Sequence, residues 1–268
     1  MVLIIITLSI PTVQTFIANK VTTKINEEFG TEIHIHRLGL NWKGEVDLRE
    51  VYIEDHHSDT LIYAKALQTN VLSIKNLIDG DLDFGHVKLK QAKFYYKTYK
   101  GESNDNISVF ADKFKSDSPS TSSKPFELIA NNVELTNGKV KIIDENLTDP
   151  EIFNLTDVNI KTKNLAISGP NVSTDIKSLS LKAERGFEIR NLTSNFSYTL
   201  ESLKLLNLNL ITEHSTINGE ITLSYTNEKG MSDFSNNVTI NALLEDSHVS
   251  TNLLNSFYSE FRSNKIIG

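Results

Sequence analysis

Most of this chain alternates apolar and polar residues with a period of two. The alternation is clearest in three segments, at 206–210, 217–225 and 238–244. A period of two places neighbouring side chains on opposite faces of a β-sheet, so the predicted sheet has one apolar and one polar face. An apolar sheet face is normally covered by a second sheet or by helices. The chain has few helical stretches, which makes this face a candidate surface for an apolar ligand.

Shorter pairs of alternating apolar residues extend the β-pattern over most of the chain. They include Ile33/Ile35, Leu72/Ile74, Val133/Leu135, Val140/Ile142, Val158/Ile160, Leu165/Ile167, Leu179/Leu181 and Phe187/Ile189. The pattern therefore predicts a mostly β protein built on a long sheet.

Local signals refine the strand boundaries. The parity of the apolar positions changes between Leu48 and Val51, which predicts a β-bulge near Glu50. Asp79-Gly80 and Asn137-Gly138 each stand between apolar pairs, and such dipeptides favour tight hairpin turns. We therefore expect a hairpin at each dipeptide.

Two segments have helical spacing instead. Apolar residues recur at helical intervals between Val13 and Phe29, and Gly30 stands where a C-terminal cap belongs. This amphipathic helix is predicted to lie over the start of the sheet as a plug. A shorter helix is predicted at 253–261, where Thr251-Asn252 supplies the cap.

The N-terminal residues 1–10 are almost wholly apolar and are followed by Pro11. The run matches the core of a signal segment, roughly 7–15 residues, better than the ~20 residues of a complete membrane span. No positive charge precedes it. We interpret it as a membrane anchor whose upstream part is missing, with a buried first strand or helix as the alternative. Residues 266–268 have the pattern of a new strand, so a truncated end is expected there too.

These patterns divide the chain into five parts. A truncated anchor at 1–12 precedes the amphipathic helix at 13–30, and a first β-segment covers 31–114. Residues 115–125 form a low-complexity polar stretch with two prolines and predict a flexible loop. A second β-segment covers 126–268.

Charge and composition exclude several classes of function. The chain has 27 Lys and Arg against 34 Asp and Glu, a net charge of −7, which argues against nucleic-acid binding because that needs a basic surface. It has no cysteine, which rules out disulfide frameworks, Cys-ligated zinc and Cys nucleophiles. A phosphate-binding loop, a nucleophile elbow and an HExxH helix are all missing from the sequence. The sequence therefore predicts a non-enzymatic protein without a cofactor.

The densest polar segment is 54–59, with the sequence EDHHSD. Histidines and carboxylates are metal-ligand types, yet His56 and His57 would point to opposite sides of a strand, and no His-rich partner segment stands out. The segment is interpreted as a solvated turn. His34 and His36 share one face of a strand, but metal sites need more than two ligands. They are interpreted as polar surface, and no metal is expected.

Three longer stretches carry a resemblance to a known family. They are 16–38, 51–67 and 178–199, in which a helix is followed by an x-I-x-I strand and a D-x-x-x-D-T-L turn. With these features the chain resembles the N-terminal part of AsmA/TamB-type envelope proteins, in particular the versions found in Bacteroidetes. Segments 126–142 and 253–261 fit the same pattern. The motif residues are Ile33, Ile35, Asp55, Asp59, Thr60 and Leu61.

The resemblance implies an architecture and a role. The implied fold is a long twisted antiparallel sheet that forms an open hydrophobic groove, with an N-terminal anchor helix and few short helices. The implied role is outer-membrane biogenesis by an inner-membrane, single-pass protein that conducts phospholipids between the two membranes along its periplasmic β-groove. Full-length members are much longer and end in a domain that meets an outer-membrane assembly partner. We therefore expect this chain to be a fragment.

Apolar strand positions are the expected lining of that groove. The same residues suit the core of a closed β-sandwich or barrel, so a structural or adhesive envelope protein that binds a protein partner is the second hypothesis. A role in outer-membrane protein assembly and a polysaccharide-binding module are further alternatives. The expected lining residues are Val46, Leu48, Leu82, Phe84, Val87, Leu89, Phe94, Tyr96, Leu208, Leu210, Ile221, Leu223, Val238 and Ile240.

Overall fold

In the computed structural model the chain forms one sheet of eleven strands, whose order in the sheet is their order in the sequence. The structure describes residues 11–40, 45–71, 82–113, 127–148, 150–184, 186–225 and 237–250. The strands are β1 (Ile33–Leu40), β2 (Glu45–Glu54), β3 (Thr60–Val71), β4 (Leu82–Thr98), β5 (Glu127–Asp144), β6 (Glu151–Ser168), β7 (Asn171–Ala183), β8 (Glu188–Tyr198), β9 (Ser202–Thr212), β10 (Thr216–Tyr225) and β11 (Val238–His248).

Two helices accompany the sheet in the described residues, α1 (Pro11–Phe29) and α2 (Asn106–Asp112). The end of α1 is joined to β1 through Asn26, whose Oδ1 accepts the Thr31 hydroxyl and the Ile33 amide, both at 2.9 Å. Thr31 is buried, so this joint holds the helix against the sheet edge. No described helix is long and apolar enough to cross a membrane. Residues 1–10 of the anchor predicted at 1–12 lie outside the described residues, whereas residues 11 and 12 begin α1. The helix predicted at 253–261 also lies outside the described residues.

The sheet has no second layer in the part of the chain that the structure describes. Each strand makes its main contacts with its sheet neighbours, while α1 packs on β1 and α2 on β4. The first and last strands are not paired with each other. The prediction of a mostly β protein with a long open sheet is therefore confirmed. The closed sandwich or barrel, which was the alternative, is wrong for these strands.

The sheet differs from the predicted antiparallel arrangement at one step. β4 and β5 run parallel, whereas the other described neighbours are antiparallel. A parallel pair needs a crossover of a dozen or more residues. Residues 99–126, which include α2, connect these two strands and supply that length.

Two local predictions have different outcomes. Glu50 has a φ of +53° inside β2, but the pairings of β2 with β1 and β3 show no shift of register at this residue, so the bulge stays a prediction. The hairpin predicted at Asn137-Gly138 is wrong, because both residues lie inside the 18-residue strand β5. Asn137 has a φ of +53°, and the pairing with β6 shifts around Gly138. The dipeptide therefore forms a bulge, which uses the same backbone conformation as a tight turn. Asp79-Gly80 lies outside the described residues.

Candidate functional site

One line of leucines and isoleucines crosses ten consecutive strands of the sheet. Each member lies directly opposite the next in the strand pairing, so together they form an apolar row perpendicular to the strands. We call this set the central row. Its members are Leu38, Leu48, Leu67, Leu89, Leu135, Ile160, Leu179, Leu192, Leu210 and Ile217.

A second apolar row crosses the eight strands from β4 to β11. We call it the outer row, and its members are Leu82, Leu128, Ile167, Val172, Tyr198, Leu203, Leu223 and Ile240. Both rows are continuous, so the apolar residues of separate strands line up along the direction in which the sheet grows.

The two rows lie on the same face of the sheet. On β10 the row members Ile217 and Leu223 are six residues apart, an even spacing that keeps them on one face. On β9 the row members Leu210 and Leu203 are seven residues apart, but the pairing shifts there and Asn207 has a φ of +50°. The bulge at Asn207 therefore restores the parity that an odd spacing would otherwise break.

The opposite face is polar at the level of the central row. A second registered line there joins Asp47, Gln68, Lys88, Glu134, Lys161 and Ser178 across six strands. Lys161 Nζ lies 3.4 Å from Glu134 Oε1 within this line. The sheet is therefore amphipathic over its width, as the period of two predicts.

Most members of the two apolar rows are half-buried. Within the part of the chain that the structure describes, no second sheet or helix layer packs on them. Exposure of the outer row rises at the β11 edge, where Ile240 is 51% exposed. A half-buried apolar face that no described element covers is a candidate binding surface.

The residues predicted to line a groove are distributed over these registered lines. Leu48, Leu89 and Leu210 belong to the central row, and Leu82, Leu223 and Ile240 belong to the outer row. Each of the other predicted residues lies outside the two rows, opposite a residue of a neighbouring strand. These cross-strand sets are Val46–Thr69–Val87, Phe84–Ala130, Phe94–Val140, Tyr96–Ile142, Leu208–Gly219, Ile221–Leu205 and Val238–Tyr225.

Sequence reasoning missed the middle of the sheet. Leu135, Ile160, Leu179 and Leu192 continue the central row through β5 to β8. Leu135, Ile160 and Leu179 stand in alternating apolar pairs, which is the signal that could have included them. Only the strand register shows that they join the same row.

A second notable region lies at one end of β2 to β5, where the polar residues Asp55, His56, His57, Asp59, Lys97, Tyr99, Glu102, Asn106 and Glu145 meet. We call it the polar cluster. Its centre is Asp55, which is only 5% exposed. Asp55 Oδ1 accepts the backbone amides of His57 at 2.9 Å and Asp59 at 3.1 Å. These bonds fold 55–59 into a turn, as predicted.

Buried donors complete the surroundings of the Asp55 carboxylate. The Tyr99 hydroxyl lies 2.7 Å from Asp55 Oδ2, and Asn106 Nδ2 donates to the same oxygen at 3.0 Å. Asn106 is fully buried; it also donates to the Tyr95 carbonyl and accepts the Lys97 amide. The turn is therefore tied to β4 and to α2 by bonds that water does not reach.

These bonds shift the pKa values of the cluster. Burial by itself raises the pKa of Asp55, but the hydrogen bonds from Asn106, Tyr99 and the backbone outweigh it and hold that pKa below its usual value. Burial and the two aspartates raise the pKa of Tyr99 far above its usual value. Tyr99 therefore remains a donor and Asp55 remains a charged acceptor at neutral pH.

The two histidines of the turn converge on one carboxylate. His56 Nε2 lies 2.9 Å from Glu102 Oε2, and His57 Nε2 lies 2.6 Å from Glu102 Oε1. The expectation that the two rings point to opposite sides is wrong, because the segment is a turn and not a strand. These bonds lower the pKa of Glu102.

No family model matches the chain, and no curated protein matches it.

Proposed function

We propose that the chain is a non-enzymatic lipid-binding segment that conducts phospholipids along its apolar rows. The observation that carries the proposal is the pair of continuous rows on one face, which no second layer covers among the described residues. Acyl chains have no polar groups to satisfy, so a surface of half-buried leucine and isoleucine suits them. Each methylene that leaves water for such a surface contributes about 0.8 kcal/mol.

The dimensions of the central row favour a path over a single pocket. Neighbouring strands lie about 4.8 Å apart, so ten strands extend over roughly 43 Å. The hydrocarbon core of a bilayer is about 30 Å thick, which gives an acyl chain of one leaflet a length of about 15 Å. The row is long enough to hold more than one acyl chain in succession, as conduction requires.

The place of this activity in the cell follows from the resemblance to AsmA/TamB-type envelope proteins. On that basis we propose that the sheet curves into a groove in the periplasm, behind an anchor in the inner membrane. The partners would then be phospholipid and an outer-membrane assembly protein. The open sheet supports this proposal because a closed core would leave no path for a lipid.

The test is site-specific photo-crosslinking in vivo. A photo-reactive residue replaces Leu223 in the outer row or Leu89 in the central row, and the purified adducts are identified by mass spectrometry. Thr222 and Lys88 are the matched controls, since each is close to a row position in the same strand but has the opposite parity. We expect lipid adducts at the row positions and few at the controls.

Other outcomes are equally informative. Equal adducts at row and control positions would contradict a lipid path on the apolar face, and so would the absence of lipid at both row positions. Adducts to unfolded outer-membrane proteins at the row positions would instead support the alternative role in protein assembly.

A further inference from the structure

The polar cluster contains a set of side chains that sequence reasoning did not bring together. Glu102 is more than forty positions from His56 and His57 in the chain, yet its two carboxylate oxygens each contact one imidazole. One ring nitrogen from each histidine and a carboxylate oxygen of Glu102 all lie within 4.8 Å of one another. Two imidazoles and a carboxylate are a common ligand set for a divalent transition metal.

We propose that His56, His57 and Glu102 bind a divalent transition metal, with Zn²⁺ as the ion that suits them best. In the metal-bound state the ion takes the place of the two Nε2 protons that now bridge to Glu102. Zinc lies about 2.0–2.2 Å from nitrogen and oxygen ligands, so tetrahedral ligand atoms are about 3.3 Å apart. The present Nε2–oxygen distances of 2.9 and 2.6 Å therefore need to open by only about half an ångström.

The histidines are already oriented by their surroundings. The Tyr99 ring lies 3.8 Å from the His57 ring and 5.4 Å from the His56 ring, measured between centroids. Tyr99 is itself buried and bonded to Asp55. A fixed ring beneath both imidazoles limits their rotation, which lowers the entropy lost on metal binding.

Glu102 is positioned by two hydrogen bonds of its own backbone. Its amide donates to the Tyr99 carbonyl at 3.0 Å, and its own carbonyl accepts from Asn146 Nδ2 at 3.0 Å. The nearby positive charge of Lys97 is neutralised by Asp59 and Glu145, at 3.1 and 2.9 Å. This pairing reduces the repulsion that a bound cation would otherwise meet from Lys97.

The donor types select among metals. Mg²⁺ and Ca²⁺ prefer oxygen ligands alone, whereas imidazole nitrogen favours Zn²⁺ and its neighbours in the first transition series. Three protein ligands leave a fourth position for water or for a group from another molecule. The histidines and Glu102 are partly exposed, so an ion can reach the position from solvent.

The experiment uses the full purified chain after treatment with a chelator. Calorimetric titration with Zn²⁺ measures affinity and stoichiometry, and visible absorption of Co²⁺ reports ligand geometry. We expect one ion per chain, together with the strong visible bands of four-coordinate Co²⁺. His56→Asn, His57→Asn and Glu102→Gln should each weaken binding by more than about 10-fold, because even outer-shell losses cost about 10–100-fold.

The matched control is His34→Asn. His34 Nε2 lies 3.7 Å from Glu54 and 3.9 Å from Glu32. The substitution therefore removes a histidine that lies beside two carboxylates and leaves the three proposed ligands unchanged. Affinity should not change in this variant. Equal losses in His34→Asn, or undiminished binding in His57→Asn and Glu102→Gln, would overturn the proposal. Circular dichroism of each metal-free variant shows that a loss of binding is not a loss of fold.

Discussion

Leu89 of β4 lies directly across from Leu135 of β5, although these two strands run parallel and the other described neighbours are antiparallel. The central row therefore continues across the parallel step between β4 and β5 without a gap, and it stays on the same face of the sheet. A shift of the register by one residue would have placed Glu134 or Thr136 of β5 beside Leu89. The continuity of the apolar surface depends on this pairing.

A charge at this crossing should interrupt lipid binding. We expect Leu135→Asp to reduce the binding of a fluorescent phospholipid to the purified chain by several fold, because a carboxylate is costly to bury beside an acyl chain. Thr136→Asp is the matched control, since it adds the same charge to an exposed neighbouring position of the same strand. Equal binding by Leu135→Asp and the wild-type chain, with both folded by circular dichroism, would contradict the lipid surface.

A methyl group at Gly219 should detach the last strand. A Cβ at this position would lie 1.9 Å from the Leu243 carbonyl oxygen and 3.0 Å from the Leu244 Cα, both backbone atoms. Since backbone cannot rotate away, we expect Gly219→Ala to separate β11 from β10. Hydrogen exchange should then show faster exchange of amides in 238–248, with little change in β1 to β6.

The control for this prediction is Gly186→Ala. Gly186 also has a positive φ, +91°, but a Cβ there meets nothing within 4 Å. It should cost only the backbone strain, about 1 kcal/mol, and leave exchange in β11 unchanged. Unchanged exchange in Gly219→Ala would mean that the sheet relaxes around the methyl group.

Acid should destabilise the polar cluster through Asp55. The pKa of Asp55 is lowered in the folded state, despite its burial, by hydrogen bonds from Asn106, Tyr99 and the backbone. A lowered pKa contributes stability above the unfolded value of 3.8, and this contribution is lost as pH falls through the lower folded value. We therefore expect the urea concentration at the unfolding midpoint to decrease as the pH is lowered below about 4.

Asp55→Asn removes the titrating group, so its urea midpoint should be lower at neutral pH and should depend less on pH in the acid range. Glu220→Gln, at an exposed position of β10, is the control and should keep the wild-type pH profile. Identical profiles for the wild-type chain and Asp55→Asn would show that other carboxylates dominate acid unfolding.

Removal of the Tyr99 hydroxyl should weaken the same region. Tyr99→Phe leaves the buried Asp55 carboxylate with one donor fewer, and the loss of a hydrogen bond to a charged group costs about 1.5–3 kcal/mol. Hydrogen exchange of the 55–59 turn and urea unfolding measure the effect. Tyr63→Phe, on β3 and outside the polar cluster, should change stability by less than about 0.5 kcal/mol.

The strands were predictable because period-two alternation is a local signal. The change of parity between Leu48 and Val51 also pointed to Glu50, whose backbone has a positive φ within β2. Asn137-Gly138 was interpreted wrongly for the same local reason. A positive φ serves a hairpin turn and a bulge equally well, and only pairing with β6 distinguishes the two.

The candidate sites were less predictable because they depend on register and on long-range contacts. Sequence placed Leu89 and Leu210 on apolar strand faces but could not align them in one row. Nor could it bring Glu102 to His57, because the crossover between β4 and β5 sets that contact. Local patterns carry no information on where such a connection returns.

The order of the strands has a consequence for how the molecule assembles. Each described strand is paired with its predecessor and its successor in the chain, so contacts form between segments that are close in sequence. Low contact order makes folding fast for a β protein, since little loop entropy is lost at each step. The sheet can grow strand by strand as the chain leaves the ribosome. The slow step should be the β4–β5 crossover, where the growing edge must wait for residues 99–126 to emerge.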